Sequence, residues 1–268
     1  MTAEMKVLIT GATGGIGAST ISALLAAGHS VMATGRDREA LRALEADHAD
    51  CQQRLEVLYA DLSQTTDRER LVTAAATWKG GVNVLINNAG TADFSLFEDQ
   101  SIDVIERLLD INLHIPIHLT HALLPVLRRS DPAHIVNIGS VFGAIGYPGN
   151  AVYCASKFGL RGFSESLRRE LADTPVKVHL LAPRATQTHL NDTVVDALNA
   201  ELGNAVDRPD AVARAVLHLF EGAGGATVIG FPEKLFARIN AVLPSLVDRA
   251  LRKQLPIIRR YAAIRRTS

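Results

Sequence analysis

Short, uninterrupted apolar runs alternating with helical patterns constrain this chain more than any other feature. KVLIT (6–10), HSVMATG (29–35), LEVLYADL (55–62), VNVLINNAG (82–90), HIVNIGS (134–140), VKVHLLAP (176–183) and ATVIGF (226–231) read as strands. Between them lie helical patterns through 19–28, 37–47, 66–78, 101–129 and the segment that begins near 151. A strand without polar alternation is covered on both faces, and strand–helix alternation builds parallel crossovers. The expectation is an α/β fold: one open, doubly wound parallel sheet of about seven strands with helices on both faces. The 268 residues, 47% hydrophobic and 21% charged, suffice for a sizeable core. Without an internal repeat, low-complexity tract or linker before residue 231, the reading is a single domain over 1–232 and an extension over 233–268.

Charge and cysteine content exclude several classes. Lys/Arg and Asp/Glu balance at 28 each, which speaks against a nucleic-acid binder by bulk charge. Cys51 and Cys154 are too few and too far apart for a metal site or disulfide framework, so a reduced, cytoplasmic setting is expected. The first residues, MTAEMKVLIT, lack the organisation of a signal peptide, and no apolar run is long enough to span a bilayer.

TGATGGIG (10–17) joins the first strand to the first helix. Amides at a helix N-terminus hold phosphate, and glycine lets the backbone approach it. Two glycine patterns fit: Gly11, Gly15 and Gly17 as T-G-x-x-x-G-x-G, or Gly11, Gly14 and Gly17 as G-x-x-G-x-x-G. The second strand ends ATGRD, with Gly35 where dinucleotide folds carry an acid for the ribose hydroxyls, followed by Arg36. A guanidinium pairs bidentately with a 2′-phosphate, which favours NADP(H) over NAD(H); Asp37, one step on, pulls the other way.

Tyr153 and Lys157, in AVYCASKFGL (151–160), are four apart and leave one face of a helix. Taken with TGATGGIG, NNAG (87–90), Asn112 and Ser140, thirteen residues before Tyr153, they form an ordered set. The set resembles the classical short-chain dehydrogenase/reductase family over roughly residues 5–232. NNAG and the chain length favour this branch over the extended one.

The resemblance implies a Rossmann-type fold, an NAD(P)(H)-dependent oxidoreductase and a role for each matching residue. Tyr153 is implied as general acid/base, and Lys157 as the group that holds the nicotinamide ribose and lowers the tyrosine pKa. Ser140 is implied to hydrogen-bond the substrate oxygen, and Asn112 to support a relay to Lys157. On the cofactor side the resemblance implies Gly11, Thr13, Gly15, Ile16 and Gly17 at the phosphates. It places Asp61 and Leu62 at the adenine, Asn88, Ala89 and Gly90 along the adenosine side, and Pro183 and Thr188 over the nicotinamide. It also implies a homodimer or homotetramer. The family's Pro-Gly is here Pro183–Arg184, which brings a Cβ and a charge beside the nicotinamide. Two outcomes are open: an altered backbone, or an arginine reaching toward a phosphate or acidic substrate.

Elementary electrostatics supports the tyrosine–lysine pair. A phenol with a pKa near 10 is a slow base at neutral pH. A cation about 5 Å away at an effective dielectric near 20 is worth roughly 3 kcal/mol, about two pKa units. The expected reaction is interconversion of a carbonyl and an alcohol. Phe142, Ile145, Tyr147 and Pro148 after Ser140, and Leu190, Val194, Val195 and Leu198 after Thr188, are mostly apolar and suit an apolar substrate. Phe142 and Tyr147 are the substrate contacts expected beside Ser140 and Tyr153.

His114, His118 and His121 share a helix face, but no further ligand completes a metal set; packing or interface histidines are expected, and no metal. Residues 231–268 hold nine Lys/Arg and two Asp/Glu, a net +7, so residues 1–230 carry −7. Leu235, Ile239, Val242, Leu243, Leu246, Val247, Leu251 and Leu255 trace a helical stripe that Pro244 and Pro256 would kink or segment. Such a segment packs on the body or a partner subunit, or lies on an anionic membrane. The rival functional reading is a non-catalytic cofactor-binding scaffold or a membrane-surface adaptor acting through this tail.

Overall fold

A computed structural model of the chain describes residues 4–188 and 190–267. In chain order the elements are β1 (Lys6–Thr10), α1 (Gly15–Ala26), β2 (Ser30–Gly35), α2 (Arg38–Asp47), β3 (Leu55–Tyr59), α3 (Thr65–Thr77), β4 (Val84–Asn87), α4 (Ile102–Leu109), α5 (Ile115–Leu127), β5 (Ala133–Ile138), α6 (Ala151–Glu170), β6 (Val176–Ala182), α7 (Thr193–Glu201), α8 (Pro209–Leu219), β7 (Gly225–Val228), α9 (Phe231–Val242) and α10 (Pro244–Thr267). The strands form one sheet in the order β3-β2-β1-β4-β5-β6-β7, parallel throughout. The expected seven-stranded doubly wound fold is present.

Successive strand side chains point to opposite faces. Val7 and Ile9 therefore join Ile21, Leu24, Val212 and Val216 of α1 and α8 in one core layer. Leu8, between them, joins Leu71, Leu119 and Leu123 of α3 and α5 in the other. Strand order reverses at β1, whose neighbours are β2 and β4, so the chain leaves the carboxyl ends of β1 and β4 in opposite directions. The crevice that opens there is where ligands bind in open α/β sheets.

Several strands stop short of the apolar runs that announced them. β3 ends at Tyr59 before Asp61–Leu62, β4 at Asn87 before Asn88–Gly90, and β5 at Ile138 before Ser140. The motif residues are thus loop residues at the carboxyl edge, released from the ladder. The single long helix expected over 101–129 is interrupted by a π turn at Asp110–His114, closed by the Ile115 N–H donating to Asp110 O. Wide turns of this kind recur at functional sites, and this one contains Asn112, which is 1% exposed.

The tail departs from the single expected stripe. Pro244 restarts the helix, and the chain bends at Leu243 (φ −134°, ψ 64°), whereas Pro256 lies inside α10 without ending it. The stripe is split as a result: Val247 is buried, while Leu235, Val242, Leu243 and Leu246 are exposed. Ile258 and Ala262, further along α10, pack with Phe94 and Leu198 of α7 in a third apolar cluster. Among the described residues, no helix is long and apolar enough to cross a membrane.

Candidate active site

A cavity of about 860 Å³ runs from the glycine turn, past Ser140, Tyr153 and Lys157, to α7, α9 and α10. Every residue assigned above to the cofactor or substrate lines it, and so do Ile145, Leu190, Val195 and Leu198, whereas Pro148 and Val194 do not. Asn112 lies just behind the wall, buried against Thr91 and Ser156.

At the cofactor end, the glycine turn is tied to β4. Thr10 Oγ1 accepts from Asn88 N at 3.1 Å and Ala89 N at 3.0 Å, and Asn88 Nδ2 donates to Thr10 O at 2.9 Å and Gly11 O at 3.0 Å. Geometry selects between the two glycine patterns. Gly11 has φ +67°, and a Cβ there would lie 2.8 Å from Ala89 Cα; a Cβ on Gly17 would lie 2.2 Å from Gly11 O. Gly15 comes next, 3.0 Å from Thr188 Cγ2, while a Cβ on Gly14 would meet nothing closer than 3.5 Å. Backbone crowding fixes Gly11 and Gly17, which both patterns share, and contact with the Thr188 side chain favours Gly15 over Gly14 as the third glycine. Gly14 caps α1 without a side-chain hydrogen bond, and the first turn holds no acid, so its amides suit an anion. The residues fit a dinucleotide: an uncapped helix end and a turn in which side chains are excluded by the backbone itself.

Arg36 is exposed at the cavity rim. Asp37 is occupied elsewhere: its carboxylate caps α2, accepting from Glu39 N at 3.0 Å and Ala40 N at 2.9 Å. The acid that seemed to compete with Arg36 is thus a helix cap. Asp61 Oδ1 likewise closes its own turn, accepting from Ser63 N and Ser63 Oγ.

The central group is assembled from three elements. Ser140 follows β5 and starts a short turn, its Oγ accepting from Phe142 N at 3.2 Å. The same hydroxyl and the Tyr153 phenol line one wall of the cavity, close enough for Ser140 to favour the ionised phenol. Lys157, 6% exposed, donates from Nζ to Ile138 O at 3.0 Å. From the π turn, Asn112 Nδ2 donates to Thr91 O at 2.8 Å and to Ser156 Oγ at 3.2 Å, and Oδ1 accepts from Thr91 N at 2.9 Å. Ser156 Oγ donates to Tyr153 O at 2.7 Å, which links Asn112 to the helix carrying both Tyr153 and Lys157.

The electrostatics differ from expectation in one respect. Burial pushes the Tyr153 phenol up to about 12, with the nearby Ser140 hydroxyl opposing it, and pulls the Lys157 ammonium down to about 8. A lysine-lowered phenol was expected. Here the Lys157 Nζ sits 5.7 Å from the centre of the tyrosine ring and is directed at Ile138 O, so desolvation outweighs the attraction.

Arg184 resolves the question raised by the missing glycine. It lines the cavity, but its guanidinium is engaged by two acids. Its Nε and Nη2 donate to Asp207 Oδ2 at 2.9 Å and Oδ1 at 2.7 Å, a bidentate pair, and Nη1 lies 3.5 Å from Glu233 Oε2. The guanidinium joins the segment between α7 and α8 to the start of α9.

A strand–glycine turn–helix on a doubly wound sheet, opening on Ser140, Tyr153 and Lys157 in one cavity, agrees with the family match: residues 5–199 fit the model described as short chain dehydrogenase. The chain belongs to the short-chain dehydrogenase family. Among its relatives is the 3beta-hydroxysteroid dehydrogenase 2 of Eggerthella lenta, 31% identical over 88% of this chain and 86% of that protein. A short-chain dehydrogenase from Streptomyces avermitilis superimposes with a TM-score of 0.80 at 26% identity, covering 97% of this chain and 98% of that one. One from Sphingobium yanoikuyae, in complex with NADPH, gives 0.76 at 29% identity, covering 91% and 96%.

Sequence reasoning assigned no role to Thr10 or Ser156. Thr10 stood at the head of the glycine motif, where the glycines, Thr13 and Ile16 drew notice. A serine within a helix carries no signal of its own. The tail's share of the cavity wall, including Phe236, Val247, Leu251 and Gln254, was also missed, because which body surface a helix meets is not written in its own periodicity.

Proposed function

We propose that this short-chain dehydrogenase is an NADP(H)-preferring oxidoreductase that interconverts an apolar ketone or aldehyde and its alcohol, with Tyr153 as general acid/base. The observation that carries the reading is the convergence of Ser140, Tyr153 and buried Lys157 in the cavity that also receives the glycine turn. A nicotinamide cofactor, when bound, supplies or accepts the hydride.

The chain's own residues do the rest. Ser140 Oγ holds the substrate oxygen next to the phenol. Tyr153 Oη donates its proton as negative charge develops there during reduction, and takes it back during oxidation. Lys157 anchors through Ile138 O and leaves further N–H donors for the cofactor ribose and a positive charge behind the phenol. Asn112 fixes the Thr91 loop and α6 against each other, holding this set in register. Phe142 and Tyr147, stacked at 4.8 Å between ring centres, give the substrate end an apolar, aromatic wall.

NADP(H) preference is supported by Arg36 at the rim and by the capping role of Asp37; NAD(H) is the alternative. Assembly as a homodimer or homotetramer is supported by exposed Ile102 and Leu109 of α4 and Phe158 of α6, together with exposed His118 and His121 of α5. Titration of the purified protein with NADPH and NADH, followed by a panel of apolar ketones and aldehydes, tests the reading. Tight NADPH binding with turnover of a ketone supports it; binding of neither nucleotide removes it.

A further inference from the structure

α9 has two faces. Glu233 and Asn240, seven residues apart, turn to the body: Glu233 meets Arg184, and Asn240 Nδ2 donates to Ala144 O at 2.8 Å. Phe231, Leu235 and Val242, at i, i+4 and i+11, fall on the opposite side and are 80%, 48% and 77% exposed. The bend into α10 adds Leu243 and Leu246, also exposed. A soluble protein rarely leaves so many large apolar side chains together in water without a use for them.

Charge is placed with them. Lys234, Arg238, Arg249, Arg252, Lys253 and Arg259 are exposed, and none has an ion-pair partner among the described residues. The other arginines of α10 are committed to the body: Arg260 to Glu201, Arg265 to Asp93 and Asp192, Arg266 to Asp99. Asp248 is the exposed acid in these two helices. Arg238 lies along the apolar stripe itself, between Leu235 and Val242.

We propose that the outer face of α9 and the α9–α10 bend dock on an anionic lipid bilayer. Aliphatic and aromatic side chains enter the headgroup boundary while the unpaired cations meet lipid phosphates. A second copy fits less well, because a two-fold contact through this patch sets the same cations against each other. A nucleic acid would leave the apolar stripe unused. Pro232 and Phe236 of α9 and Val247, Leu251 and Gln254 of α10 line the cavity, so docking brings its substrate end to the lipid. A lipid-borne carbonyl or alcohol as substrate rests on the activity proposed above; the docking does not.

Co-sedimentation of the full chain with phosphatidylcholine vesicles, with and without phosphatidylglycerol, tests this. The protein should pellet with the anionic vesicles and be released by high salt. Leu235→Glu/Val242→Glu and Lys234→Gln/Arg238→Gln should each weaken binding roughly tenfold or more, with unchanged circular dichroism and thermal midpoint. Wild-type protein left in the supernatant overturns the proposal, as do variants that pellet like wild type. So does a Leu235→Glu/Val242→Glu protein that loses an oligomer in ultracentrifugation where no vesicle affinity existed. Tyr153→Phe should bind vesicles unchanged, so vesicle binding without any carbonyl turnover would sink the proposed reaction and leave the docking intact.

Discussion

At Tyr153, burial and the proposed acid/base role pull in opposite directions. A phenol held near 12 is a secure proton donor and a poor base at neutral pH. Carbonyl reduction should therefore be nearly level with pH around neutrality, while alcohol oxidation climbs as pH rises and the phenolate fraction grows. Lys157, held near 8, loses charge over the same alkaline range and so blunts the climb. Profiles of kcat/KM against pH in both directions check this; oxidation that falls above neutrality would contradict it. Tyr153→Phe should abolish turnover with nucleotide affinity nearly unchanged. Arg36→Ala should weaken NADPH by roughly ten- to a hundredfold and NADH little, the worth of a charge-assisted hydrogen bond to phosphate. Equal losses for the two nucleotides would remove Arg36 from the discrimination. That these residues meet at one cavity was legible in sequence because their spacing is chemical: a tyrosine and a lysine one helical turn apart, an arginine in place of an acid. The phenol's environment was not, since desolvation depends on what the rest of the chain packs around it.

Among the elements, β5 and β6 carry a buried pair that the reaction does not use. His134 Nδ1 and His179 Nε2 lie 3.0 Å apart, both nearly inaccessible, and burial holds each near 4 rather than the ordinary 6.5. The folded state thus favours the neutral rings. Their contribution is complete above the unfolded value and is lost as pH falls from about 6.5 toward about 4, where the unfolded chain binds more protons. Urea midpoints should drop over that window, and His179→Gln should flatten the drop. Arg184→Ala leaves Asp207 and Glu233 partly buried without their cation. It should cost about 1–3 kcal/mol in denaturant unfolding, with a larger rise in KM for substrate than in Kd for cofactor. The sheet itself was fully legible, because uninterrupted apolar runs have few other destinations. Where strands end was not, since the ladder stops when neighbouring backbones diverge. The π turn around Asn112 was hidden too: DINLH offers no local reason for a wider turn, and the reason lies in Thr91 and Ser156.

On the scale of the molecule, the cavity has two walls. The cofactor end belongs to the sheet and its loops, while the far end is closed by α7, α9 and α10, with Ile258 fully buried against Phe94 and Leu198. Ile258→Ala should cost about 2–5 kcal/mol where the site stays rigid. Local release of α10 would show instead as faster proteolysis after Arg252 or Lys253 and weaker apolar-substrate binding, at unchanged nucleotide affinity. Removing 243–267 should exaggerate the same split. The amphipathic character of the tail was evident in its sequence. Its division into a docked half and an outward half was not, because Pro244 resets the helical phase and the partners of Arg260, Arg265 and Arg266 lie far back in the chain.

The docking of α10 across the cavity also has a consequence for biosynthesis. On the ribosome, the sheet and the glycine turn are made before residues 244–267 emerge, so the proposed cofactor end precedes the far wall of the cavity. The nascent protein passes through a stage in which Phe94 and Leu198 face solvent and Tyr153 has no far wall opposite it. A translation product cut short before Ile258 would persist in that stage, able to sequester nucleotide yet exposing an apolar surface to quality control.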